Sequence, residues 1–190
     1  MSKGKLFVIS GASGVGKSTV LKIVMAARDD LRFSVSATTR APRPGEVDGV
    51  HYYFVTNEEF KGLIDSGEML EYDFHNNTYY GTPRRQVEEK TENGHVILDI
   101  EPVGAFNVRA ACPDATLIFI MPPSVEELER RLRSRGDTSP EQIRMRLDRA
   151  KWEMEQRNKY DYVVVNDVAE RCAEEILKII AANEGVINAE

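Results

Sequence analysis

The sequence predicts an α/β protein whose core is a parallel sheet covered by helices on both faces. Three observations carry that expectation. Short apolar runs recur along the chain, among them Leu6-Phe7-Val8-Ile9 and Val96-Ile97-Leu98. They are apolar at every position, not at alternate ones, which suits strands buried on both faces. Segments with helical spacing separate these runs, the alternation that builds parallel sheets. At 190 residues, finally, the chain can bury one good core with an inserted subdomain, but not two independent domains.

In chain order, strands are expected over 6–10, 95–100, 116–121 and 162–165. Helices are expected over 18–28 and 103–111, from 125, from 140, and over 169–182. Helix starts are well signed. Ser124-x-x-Glu127 reads as a capping box, as does Ser139-x-x-Gln142 with Pro140 at the first helical position. The stretch 34–93 breaks the rhythm with Thr38-Thr39-Arg40-Ala41-Pro42-Arg43-Pro44-Gly45. Aromatic runs follow (Tyr52-Tyr53-Phe54-Val55, Leu70-Glu71-Tyr72), with a short helix over 58–65 behind Thr56-x-x-Glu59. It reads as a mixed subdomain inserted into a core made of 1–33 and 94–190, and insertions of this kind usually carry specificity. A polar break over 136–139, between two Arg-rich helices in the region 130–150, has the look of a hinged lid. The chain shows no internal repeat and no low-complexity segment.

Composition excludes several classes. With 42% hydrophobic and 29% charged residues the chain reads as an ordinary soluble protein. No apolar run approaches the ~20 residues that span a bilayer, and the first strand begins too early to leave room for a signal peptide, so the cytoplasm is the expected location. Cys112 and Cys172 lack metal spacing and read as buried thiols. His51, His75 and His95 form no ligand pattern, so no structural metal is expected. The net charge of −6 argues against nucleic acid as a partner, yet the segment 130–151 alone carries +5. Such a run is either a solvated helix face or, beside a polyphosphate site, part of that site.

That polyphosphate site is the strongest signal in the chain. Gly11, Ala12, Ser13, Gly14, Val15, Gly16, Lys17 and Ser18 fit the pattern G-x-x-x-x-G-K-[ST] and sit between an apolar strand and an amphipathic helix. The glycines let the backbone turn so that successive N–H groups point at phosphate oxygens. Lys17 reaches the β- and γ-phosphates, and the Ser18 hydroxyl is placed for Mg²⁺. The helix that opens there, with Thr19 in its first turn, adds its positive dipole end. A nucleoside triphosphate, ATP, with Mg²⁺ is therefore the expected ligand.

Within the insertion, the run from Thr39 through Arg40, Arg43, Gly45 and Asp48 to His51-Tyr52-Tyr53-Phe54 resembles the signature of guanylate kinases. Tyr79-Tyr80-Gly81-Thr82, Leu98-Asp99-Ile100, the set Arg131, Arg135 and Arg146, and Val165-Asn166-Asp167 extend that resemblance over essentially the whole chain, in order. It implies a three-layer P-loop NTPase fold with a nucleoside monophosphate-binding subdomain and a lid. It also implies transfer of the γ-phosphoryl group of ATP to GMP, giving ADP and GDP. By this resemblance Arg40, Arg43, Tyr52 and Tyr80 hold the acceptor phosphate, Glu71 accepts from the guanine N1–H and N2 amino donors, and Ser36 and Thr82 supply hydroxyls near O6. Asp99 positions phosphate or Mg²⁺ ligands, Arg131, Arg135 and Arg146 close over the transferring group, and Asn166 meets adenine. The family usually has Asp then Trp-Gln-Gly where this chain has Glu101-Pro102-Val103-Gly104, so the reach of Glu101 toward guanine is an open point.

The chemistry agrees with these roles. A phosphate monoester acceptor is already largely dianionic near neutral pH, so no general base is needed. The protein must hold two repelling polyanions in line and neutralise the group in flight. Planar guanidinium groups around the rigid Pro42 suit an acceptor phosphate. Two other readings stand beside this one: a catalytically inactive protein-binding module of the same family, which typically lacks an intact phosphate loop, and a related kinase acting on a ribose phosphate. Lys17 and Ser18 argue against the first, and Glu71 with Ser36 and Thr82 against the second. Oligomeric state and tolerance of dGMP are not legible.

Overall fold

The computed structural model describes residues 4–75, 77–134 and 139–184. The described strands are β1 (Leu6–Gly11), β2 (Leu31–Phe33), β3 (Ala37–Thr38), β4 (Tyr53–Phe54), β5 (Met69–His75), β6 (Thr78–Pro83), β7 (His95–Asp99), β8 (Thr116–Met121) and β9 (Tyr162–Val165). The helices are α1 (Lys17–Ala27), α2 (Asn57–Asp65), α3 (Arg84–Thr91), α4 (Pro102–Ala111), α5 (Val125–Arg133), α6 (Pro140–Glu155) and α7 (Ala169–Asn183). Five strands form the parallel core sheet in the order β2-β7-β1-β8-β9. All six residues of the central β1 are buried, which requires cover on both faces, and its apolar run provides for that. The core is built on Phe7, Ile9, Ile97, Leu98, Leu117, Phe119 and Leu128, all essentially without exposure.

The second sheet, in the order β4-β3-β6-β5, is drawn wholly from the segment that broke the sequence rhythm. Its small cluster of Ala37, Phe60 and Met69 is separate from the main core. α4 touches both β1 and β5, so one helix of the core buttresses the second sheet. Parallel strands deliver their C-terminal ends to one edge, where ligands of such sheets bind. Here Ile9 stands opposite Asp99 and Gly11 opposite Ile120, bringing the ends of β1, β7 and β8 together.

Some local features depart from the sequence expectation. β2 is three residues with an arginine at its centre, too short for a period to show. α3 is almost wholly polar and buries only Val87, so it gives no amphipathic signal. The capping boxes at Thr56/Glu59 and Ser139/Gln142 are complete. At Ser124 the hydroxyl accepts from the Glu127 N–H, but the Glu127 carboxylate turns instead to Arg130 and Arg131. Cys172 is buried as expected, whereas Cys112, closing the C-terminus of α4, is only half-buried. Among the described residues no helix is long and apolar enough to cross a membrane.

Candidate active site

The loop between β1 and α1 is held from outside as well as by its own glycines. Gly14 and Gly16 have φ of 87° and 95°, in the left-handed region, and a Cβ on Gly16 would stand 2.9 Å from the Asn166 amide nitrogen. The Val15 carbonyl accepts from Asn166 Nδ2 at 2.8 Å and from Arg131 Nη1 at 3.1 Å. The Ser13 N–H donates to Glu153 Oε2 at 2.7 Å. Ser18 and Thr19 are exposed at the start of α1, so the N-terminus of that helix is open to solvent.

Lys17 forms an ion pair with Asp99 at the end of the neighbouring strand β7. Burial works against its charge, but Asp99, Glu101 and Glu153 outweigh it, so its pKa lies above the ordinary value. Lys17 is therefore a fixed cation at the seam between the two sheets.

On the other side of that seam is a cavity of about 300 Å³, lined in part by Lys17, Ser36, Arg40, Arg43, Tyr52 and Glu71. Tyr80, Asp99 and Glu101 complete the set of sequence-nominated residues around it. Arg40 is held in a two-point pair by Glu46 at 2.6 and 2.7 Å, with its guanidinium 4.9 Å from the Tyr52 ring centroid. That pair and the Arg43 N–H hold the Glu46 carboxyl down to about 2. Glu71 on β5 faces Thr82 on β6, and the Thr82 hydroxyl donates to Glu71 Oε1 at 2.6 Å. Glu71 is buried, which pushes its carboxyl up to about 7, and its other oxygen would stand 2.4 Å from a Cβ on Gly104. Only a glycine at that point of α4 lets the carboxylate lie against the helix.

Two nominated residues stand slightly apart. Thr82 is fully buried behind Glu71 instead of lining the cavity, and Asn166, also buried, braces the loop through Val15. Arg131 on α5 is fixed by Glu127 at 2.7 Å and reaches the loop. Arg146, half-buried on α6, is engaged in a contact of its own. Arg135 and most of the expected lid break lie outside the described residues. Arg130 and Arg133 are spent on exposed pairs with Glu127 and Glu129.

The family model for guanylate kinase matches residues 3–183 of this chain. The chain belongs to the guanylate kinase family. A guanylate kinase of Oceanobacillus iheyensis is 50% identical over 179 residues, covering 94% of this chain and 87% of its own length. A guanylate kinase of Thermus thermophilus is 50% identical over 181 residues, with 95% and 82% covered. The crystal structure of a guanylate kinase from Anaplasma phagocytophilum superposes with a TM-score of 0.80 at 35% identity, covering 98% of this chain and 89% of that one. The fold alone extends further, to an SH3-kinase fragment of tight junction protein 3 with a TM-score of 0.54 at 12% identity, covering 97% of this chain and 59% of that one.

The cavity also takes in side chains that sequence reasoning passed over. Asp73 and His75 line it, joined at 3.0 Å, and the imidazole stacks on Tyr80 with centroids 4.8 Å apart. The signal was available: Glu71, Asp73 and His75 are alternate residues of one strand and so share a face. Glu101 caps the start of α4 by position, with Pro102 at the first helical residue where a missing N–H costs nothing. Its carboxylate is drawn to Arg149 at 2.7 Å, and although burial opposes its charge, Lys17 and Arg149 hold it down to about 2.

Proposed function

We propose that this chain transfers the γ-phosphoryl group of ATP to GMP, forming ADP and GDP. One observation carries the reading. Lys17, rooted in the donor loop, stands on the wall of a cavity that holds both a set of anion-binding side chains and a buried carboxylate–hydroxyl pair. In this reading Arg40, Arg43, Tyr52 and Tyr80 take the acceptor phosphate. Glu71 accepts from the guanine N1–H and N2 amino group. The single Thr82 proton is committed to Glu71, which leaves Ser36 as the donor for O6 and makes Thr82 the group that aims the carboxylate. Adenine would set an acceptor at N1 against Glu71 and strand buried polar groups.

Lys17, with Arg131, Arg135 and Arg146, meets the charge of the phosphoryl group in transfer. The acceptor is its own nucleophile, so the residues work by alignment and neutralisation. The Gly11-to-Thr19 loop takes the triphosphate, and Asn166 keeps that loop in shape beside the adenine site. Ser18, with Asp99 acting through water, would hold the Mg²⁺ that accompanies ATP and screens its charge, and hydroxyl and carboxylate oxygens are the donors such a hard cation takes. Residues 34–93 are the GMP-binding subdomain, 130–150 the lid, and 1–33 with 94–190 the core. An ATP-dependent enzyme with free thiols fits a cytoplasmic setting, and a net charge of −6 fits small-molecule rather than nucleic-acid partners.

The test is ADP release measured over a panel of nucleoside monophosphates and ribose phosphates. GMP is expected to be turned over at least about 100-fold more efficiently than AMP, the discrimination of a site built on buried hydrogen bonds. Preference for a ribose phosphate would overturn the reading, and no turnover of any acceptor would favour the protein-binding alternative.

A further inference from the structure

Among the described residues, one arginine on α6 serves two carboxylates, one on the wall of the acceptor cavity and one buried beneath the loop between β1 and α1. Arg149 Nη2 bonds Glu101 Oε2 at 2.7 Å, and its Nε bonds Glu153 Oε1 at 2.9 Å. Glu101 lines the acceptor cavity. Glu153, its side chain only 1% exposed, gives its second oxygen to the Ser13 N–H inside the donor loop. A continuous chain of bonds thus runs from the loop backbone, through Glu153 and Arg149, to the acceptor wall.

The guanidinium suits this position for reasons of shape. Its donors diverge in a rigid plane, so it can hold two carboxylates at once, whereas a lysine ammonium is a compact point charge. The electrostatics give it a second task. Asp99, Glu101 and Glu153 all attract Lys17. Arg149 competes with Lys17 for Glu101 and Glu153, which leaves Asp99 as the carboxylate paired with the lysine. Burial and the adjoining Glu101 already push the Glu153 carboxyl up to about 7, and without Arg149 that buried pair would have one cationic partner fewer.

We propose that Arg149 is a positioning residue for both substrates: it fixes Glu153 against the donor loop and Glu101 against the acceptor base. The second half rests on the guanine reading above. Glu101 then uses its remaining oxygen toward the guanine N2 amino group.

The experiment is steady-state kinetics on the full chain, with GMP and ATP varied separately and thermal melting run in parallel. R149A is expected to raise the KM for GMP and the KM for ATP by about tenfold each, the loss of one charge-assisted hydrogen bond per site. R149K is expected to restore one of the two at most. E153Q keeps an acceptor for the Ser13 N–H but cannot ionise beside Arg149, so it is expected to raise the ATP KM more than the GMP KM. E101Q placed on R149A is expected to add less than about twofold to the GMP KM, because the carboxylate is already misplaced. Changes under twofold in both KM values for a folded R149A, or full multiplication of the R149A and E101Q effects, would overturn the proposal. If R149A fails to fold, the E153Q split decides: equal shifts in both KM values would also overturn it. Absence of GMP turnover in the unaltered enzyme would instead sink the reading on which the second half rests.

Discussion

In the proposed reaction the donor loop and the acceptor cavity each receive a phosphate, yet they are made from different parts of the protein. The loop is one continuous run of residues, working through its backbone on the rigid edge of the core sheet. The cavity is assembled from β5, β6, the Arg40–Glu46 turn, β7 and the start of α4, and it works almost wholly through side chains. Backbone N–H groups cradle any polyphosphate and cannot tell one base from another. Side chains aimed by partners, as Glu71 is by Thr82 and Gly104, can discriminate, because each wrong group leaves a buried partner unpaired. In the proposed reaction specificity therefore sits in the small sheet and phosphoryl chemistry at the seam.

Breaking the seam should have the largest effect. Lys17→Ala is expected to lower kcat by about 10³, in the range seen when one preorganised charge is removed from a developing anion. GMP affinity by calorimetric titration should change little, since the acceptor phosphate has its own arginines. A parallel collapse of GMP binding would show that the two sites are not separable.

Next comes base recognition. Glu71→Gln retains shape and loses charge, so kcat/KM for GMP should fall by about 2 to 3 kcal/mol, typical of a hydrogen bond to a charged group. Inosine monophosphate, which lacks the N2 amino group, should lose less. The Glu71 carboxyl is pushed up to about 7 by burial, and only its ionised form accepts both guanine donors. The GMP KM of the unaltered enzyme should therefore rise as pH falls below about 7. E71Q should keep only the acceptor's own titration, and identical pH profiles for the two would remove Glu71 from the base contact.

Within the phosphate machinery the contrast is finer. Arg43→Ala should mainly raise the GMP KM, by about tenfold, whereas Arg131→Ala should mainly depress kcat, because Arg131 touches the donor loop and stands where charge develops. Equal effects on both parameters would erase the distinction between acceptor fork and transfer arginine.

The smallest expected effect lies in the brace. Asn166→Ala removes one of two donors to the Val15 carbonyl, and the remaining Arg131 bond keeps that oxygen satisfied, so melting should report a loss of about 1 kcal/mol. The ATP KM should rise modestly and the GMP KM stay unchanged.

The sequence by itself determined the elements whose causes are local in the chain. The loop between β1 and α1 is contiguous, so its glycine spacing and its Lys17-Ser18 end can be read straight from the sequence. The core strands are legible because burial on both faces writes an unbroken apolar run, and the caps at Thr56 and Ser139 are legible because their partners lie three residues away. Tertiary structure decided what depends on partners distant in sequence. It set Thr82 behind Glu71, turned Asn166 onto Val15 and drew Glu101 to Arg149, at separations of 11, 151 and 48 residues. It also formed β2, which has too little pattern to announce itself and exists because β7 offers it an edge. A side chain's type limits which bonds it can make, but which of them it makes is chosen by whatever the fold brings within about 3 Å of it.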